Sequence, residues 1–149
     1  MVLISGDRLY SIVDTTLKVW DLSNNNQVVV SEAQLDEVQT AHSCGAKINS
    51  DLFISAYKTL YIFKDSQETP LTLVKKVEFT DWIRKMYIHN NRLVLGGFEG
   101  NLSVVNIHSL ETESVHLFEQ SDSIRDIIAL PDSRYLLAAV RGLLLVEPT

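Results

Sequence analysis

Leu17-Lys18-Val19-Trp20-Asp21-Leu22 alternates in period 2 and ends in a Trp-Asp pair before the polar turn run Ser23-Asn24-Asn25-Asn26. A strand buried on one face alternates in this way. Arg8 to Val13 precedes it as a strand and Gln27 to Ser31 follows as another. Val2 to Ile4, set off by the Gly6-Asp7 turn, reads as the first strand of the group.

The group returns three times. A second cycle reads as Val38 to Ser43, a loop holding Gly45 and Asn49, then Leu52 to Ala56, Leu60 to Lys64 and Leu71 to Phe79. A third reads as Ile83 to Ile88, a His89-Asn90-Asn91 turn, Leu93 to Phe98, Leu102 to Ile107 and Ser114 to Phe118. The fourth runs Ile124 to Leu130, turns at Pro131-Asp132-Ser133, and continues through Tyr135 to Val140 and Leu143 to Val146. Second strands begin at Leu9, Leu52, Leu93 and Tyr135, and third strands at Leu17, Leu60, Leu102 and Leu143, so every step is 41 to 43 residues. Four short strands at that period mark propeller blades. The repeats span about 1–33, 34–79, 80–120 and 121–149 of one domain, 1–149. The small pairs Ser55-Ala56, Gly96-Gly97 and Ala138-Ala139 fall at matching places, where a neighbouring blade comes close.

On these residues the chain resembles the WD40-repeat β-propeller family: apolar strand, small pair, turn, then Leu-x-Val-Trp-Asp. Only the first repeat keeps Trp20-Asp21; the Gly-His usual before the first strand is absent, and Pro131-Asp132-Ser133 is similar to the usual Pro-Asp-Gly turn. The resemblance implies an all-β propeller arc of four antiparallel blades, the last lacking its outer strand. That is roughly half of a seven- or eight-bladed ring. It implies a non-catalytic interaction platform, with Trp20 packed in the core. Open edges invite pairing, so the Leu143–Val146 strand is expected to take another propeller segment or a second copy.

Composition narrows the function classes. A formal charge of -6 in 149 residues argues against a general nucleic-acid binder, which needs a basic footprint. No apolar run approaches the 18 or so residues of a membrane helix. The lone Cys44 forms no intrachain disulfide, which with no signal-like leader points to a reducing compartment. The cytoplasm is expected, the nucleus remaining open. His42 and Cys44 have no Cys-x-x-Cys partner for zinc, and His89, His108 and His116 are scattered. No metal or other cofactor is expected. The alternative, a propeller-type metal-dependent hydrolase, would draw on Asp81, Glu99, Asp122 and Asp126. No nucleophile elbow or phosphate loop occurs.

One constellation suggests a binding surface. Trp82-Ile83-Arg84-Lys85-Met86 aligns with Ser123-Ile124-Arg125-Asp126-Ile127, so Arg84 and Arg125 hold equivalent positions. First strands start on the rim that also carries the second-to-third turns, which hold Lys58 and Arg141. Lys58, Arg84, Arg125 and Arg141, with Trp82 as an aromatic anchor, form the predicted contact surface for an acidic or phosphorylated peptide.

Overall fold

The computed structural model describes residues 1–23, 27–36, 43–117 and 122–147. The described residues form fifteen strands and no helix. They fall into two compact units, Met1–Phe79 and Thr80–Thr149, divided where the second repeat gives way to the third.

The first unit holds two four-stranded sheets. Blade 1 is β1 (Val2–Ser5), β2 (Arg8–Val13), β3 (Thr16–Asp21) and β4 (Val28–Gln34). Blade 2 is β5 (Ser43–Ile48), β6 (Asp51–Ala56), β7 (Thr59–Lys64) and β8 (Thr72–Glu78). In the second unit, blade 3 is β9 (Ile83–His89), β10 (Arg92–Gly97), β11 (Asn101–Asn106) and β12 (Thr112–His116). Blade 4 is the three-stranded sheet β13 (Ile124–Ala129), β14 (Tyr135–Ala139) and β15 (Gly142–Val146). Every strand pairs antiparallel with its sequence neighbour. The turns explain why: between β9 and β10, Asn90 and Asn91 both have positive φ, the geometry of a two-residue hairpin that Asn tolerates.

Each unit has its own core. In the first, Tyr10, Ile12, Leu17 and Val19 of blade 1 pack with Leu52, Ile54, Tyr61 and Phe63 of blade 2. In the second, Val94 and Leu102 of blade 3 pack with Ile124, Ile127, Tyr135 and Leu137 of blade 4. Burial of such side chains contributes about 1.5–3 kcal/mol each. Gly96 is small because of this packing: a Cβ there would stand 2.5 Å from Ile124 Cγ2.

Four expectations need correction. The first strand of blade 2 lies at Ser43–Ile48 rather than ahead of a Gly45 loop, and 38–42 lie outside the described residues. Gly45 reads as a turn residue but sits inside β5, where a Cβ would come within 2.9 Å of Met1 Sδ. β4 runs on to Gln34, because Ala33 still packs against the core through the polar stretch. Trp20 is only half-buried. It lies on the face away from that core and donates its indole N–H to Ser11 Oγ at 2.9 Å.

Candidate partner-binding surface

In the second unit, one end of both sheets is built by a repeated device. Asp81 and Asp122 precede β9 and β13, and both are buried. The Asp81 carboxylate accepts the backbone N–H of Glu99 at 3.0 Å and of Asn101 at 3.2 Å, and the Asn101 side-chain amide at 3.0 Å. Asp122 accepts the N–H of Val140 at 2.9 Å and of Arg141 at 3.1 Å. Each carboxylate therefore holds the turn between the second and third strands of its own blade. Gly97 serves this device: a Cβ there would fall 1.9 Å from Asp81 Oδ2. Its neighbour Gly96 serves blade packing, so the small pair has two separate causes.

The next residues carry the candidate surface. Register shifts occur between Gly96 and Gly97 opposite Arg84, and between Ile124 and Asp126. Arg84 and Arg125 are thus the extra residues of two equivalent β-bulges, a device that re-aims a side chain. The Arg84 guanidinium lies 5.6 Å over the Phe98 ring, a cation–π distance. Trp82 stands 5.8 Å from the same ring, and its carbonyl accepts the Phe98 N–H at 2.8 Å. Both rings are exposed.

Among the described residues, no carboxylate lies within ion-pair distance of Arg84 or Arg125. Asp126, the residue after Arg125, pairs with Lys85 at 3.0 Å, which holds its carboxyl below the usual range. Arg141 is exposed in the turn between β14 and β15, with its backbone N–H on Asp122. The structure therefore joins Trp82 to Arg84 through Phe98 and sets Arg125 on the equivalent bulge. Lys58 belongs to the first unit, in the turn between β6 and β7, where its carbonyl accepts the Phe79 N–H at 2.8 Å.

Sequence reasoning missed Phe98 and the turn-holding aspartates. The latter had a signal: Asp-x-Ile-Arg occurs at both 81–84 and 122–125. Of the four acids considered for a hydrolase, Asp81 and Asp122 are engaged by backbone N–H groups and Asp126 by Lys85. Among the described residues no three His, Cys, Asp or Glu side chains stand together as metal ligands; His42 lies outside them.

The first unit carries a different polar feature, a cleft of ≈ 570 Å³ lined by Asp7, Arg8, Asp21, Asp65 and Glu68 among others. At its floor the buried Asp65 carboxylate takes Arg8 Nη1 at 2.5 Å and the Tyr10 hydroxyl at 2.5 Å. Burial, then the Asp65 carboxylate, pushes the Tyr10 phenol up. Asp21, the acid of the Trp-Asp pair, accepts the Ser23 hydroxyl at 2.6 Å and the Ser23 N–H at 2.8 Å. Those bonds lower its carboxyl and close the turn.

No protein-family model matches the chain, and no curated protein does. Solved structures do. The WD40 domain of Toxoplasma gondii coronin aligns with a TM-score of 0.75 at 12% identity, over 95% of this chain and 40% of that one. Kluyveromyces lactis Hsv2 aligns at 0.75 and 9% identity, over 99% of this chain and 48% of that one. The fold is that of a WD40-like β-propeller. The computationally designed Ika4 protein aligns at 0.75 and 16% identity, over 97% of this chain and 88% of Ika4. The WD40-like chain spans less than half the length of coronin's domain and of Hsv2.

Proposed function

We propose that this WD40-like chain is a non-catalytic interaction platform that binds an acidic or phosphorylated peptide through Trp82, Arg84, Arg125 and Arg141 of the second unit. One observation carries the reading: two arginines sit on equivalent bulges of neighbouring blades with no carboxylate partner among the described residues, one of them beside an exposed aromatic pair. Guanidinium forks match carboxylate and phosphate geometry, and an exposed aromatic supplies an apolar anchor. An acidic chain with a local basic patch favours such a ligand over nucleic acid or a membrane surface. The open blade faces have a second role in this reading, the docking of another propeller segment.

The test is a titration with a pool of acidic and phosphorylated peptides. Binding is expected; Arg84→Ala and Arg125→Ala should each lose about 1.5–3 kcal/mol, the range of a hydrogen bond to a charged group, and the double variant more. Asn91→Ala, at the opposite end of blade 3, should leave affinity unchanged. Unchanged affinity in the double variant would place the contact surface elsewhere.

A further inference from the structure

The repeat register distinguishes the two faces of every blade. Blade 1 turns Tyr10, Ile12, Leu17 and Val19 toward blade 2, and all four are buried. Blade 3 turns the equivalent Val94, Gly96 and Leu102 toward blade 4. This is the leading face. The opposite, trailing face receives it: Leu52, Ile54, Tyr61 and Phe63 in blade 2, and Tyr135 and Leu137 in blade 4.

Counting by the same register, the leading face of blade 4 is Leu136, Ala138, Leu143 and Leu145. Cross-strand pairing sets them on one side, Leu136 opposite Leu145 and Ala138 opposite Leu143. They hold the places of Val94, Gly96, Leu102 and Val104, yet Leu143 is 72% exposed and Leu145 46%. At the other extreme, the trailing face of blade 1 holds Val2, Ile4, Leu9, Val13 and Trp20, placed on one side by the pairs Ile4 with Leu9 and Leu9 with Trp20. Val2 is 68% exposed, Ile4 63% and Val13 62%. The leading face of blade 4 is apolar at all four of these places; the trailing face of blade 1 is apolar at Val2, Ile4, Leu9, Val13 and Trp20, with the pair Ser11 and Lys18 where blade 2 has Ile54 and Tyr61.

We infer that the two faces are partners between copies: the leading face of blade 4 of one chain packs on the trailing face of blade 1 of a second chain. The inference rests on the platform reading only in its WD40-like fold and deepens its docking role. The occupant follows from complementarity. A leading face is covered by a trailing face wherever a blade pair is seen within a unit, and one chain presents one of each. Charge does not oppose the contact. Leu136, Ala138, Leu143 and Leu145 are uncharged, Asp126 opposite Ala138 is already paired with Lys85 at 3.0 Å, and the trailing face's Lys18 is set against Glu32 at 3.5 Å. Contiguous apolar surface of this kind marks an interface, and its type is heterologous, each copy giving one face and receiving the other.

Light scattering on the purified chain tests this. The wild type is expected at twice the chain mass or a higher whole multiple. Leu143→Glu with Leu145→Glu should reduce it to the monomer mass with an unchanged strand spectrum, and so should Ile4→Lys with Val13→Lys. An equimolar mixture of the two variants should return to twice the chain mass, because one intact leading face then meets one intact trailing face. If one variant fails to fold, the other alone still tests the contact. A folded monomeric wild type would overturn the inference, as would a leading-face variant that keeps the wild-type mass, or a mixture that stays monomeric. Arg84→Ala, Arg125→Ala should keep the wild-type mass, so that loss of peptide binding and loss of assembly are read separately.

Discussion

The two units contain the same repeat, yet their blades are held by different polar chemistry. In the first, one buried carboxylate bridges blades: Asp65 of blade 2 takes both Arg8 and Tyr10 of blade 1. In the second, buried carboxylates act within blades, Asp81 and Asp122 each fastening its own turn. Between the blades stand close apolar packing at Gly96 and Ile124, an edge-on contact of the His89 and Tyr135 rings and an exposed ion pair, Lys85 with Asp126. The difference shows that the repeat specifies strand order and apolar faces, while the polar lock is free to vary.

The sharpest way to break the comparison is Asp65→Ala. Removing one partner of a buried ion pair leaves an uncompensated charge, costing about 3–5 kcal/mol. Urea denaturation should show that loss, and hydrogen exchange should place it in residues 1–79. A cost below about 1 kcal/mol would mean that the network is not what locks the first unit.

Asp81→Ala should cost less, about 1–3 kcal/mol, because it orphans donors within one turn. Exchange protection should fall at the Glu99 and Asn101 amides and persist in blade 4. The same substitution empties the space that a side chain at Gly97 would need. Gly97→Ala should therefore destabilise the wild type more than it destabilises the Asp81→Ala background, a coupling that a double-mutant cycle reads directly.

A smaller effect distinguishes the units by pH. The Tyr10 phenol is raised in the fold, so its stabilisation is complete below the unfolded value near 10. It is lost as pH climbs from there toward the folded value. Tyr10→Phe should flatten alkaline unfolding of the first unit, at about 1 kcal/mol of neutral-pH stability for the lost hydrogen bond. An identical alkaline profile would show that Tyr10 does not ionise on unfolding.

The smallest effect belongs to Lys85→Ala. The pair with Asp126 is exposed, so its removal should cost under about 1 kcal/mol and still less in high salt. Asp126 is lowered in the fold, so its contribution is present above the unfolded value and fades as pH falls through the folded one. A cost comparable to that of Asp65→Ala would erase the distinction between the two locks.

Much of the fold was legible because the period of the repeat is a local signal. The steps between Leu17, Leu60, Leu102 and Leu143 need only counting, and the alignment of Arg84 with Arg125 survived as two equivalent bulges. Gly45 was misread because a glycine that ends a strand and one that admits Met1 look alike until the neighbour is known. Phe98 gave no signal: an aromatic at a strand end is unremarkable until Arg84 is seen above it.

The sequence by itself determined the strand order, the four-blade count and which face of each strand is apolar, since these follow from period and alternation along the chain. Tertiary structure alone decided which carboxylates lock blades and which fasten turns, why Gly96 and Gly97 are small for different reasons, and that Trp20 lies on a half-open face. Those depend on atoms brought together from 9 to 57 residues apart, and separation along the chain carries no record of which partners will meet.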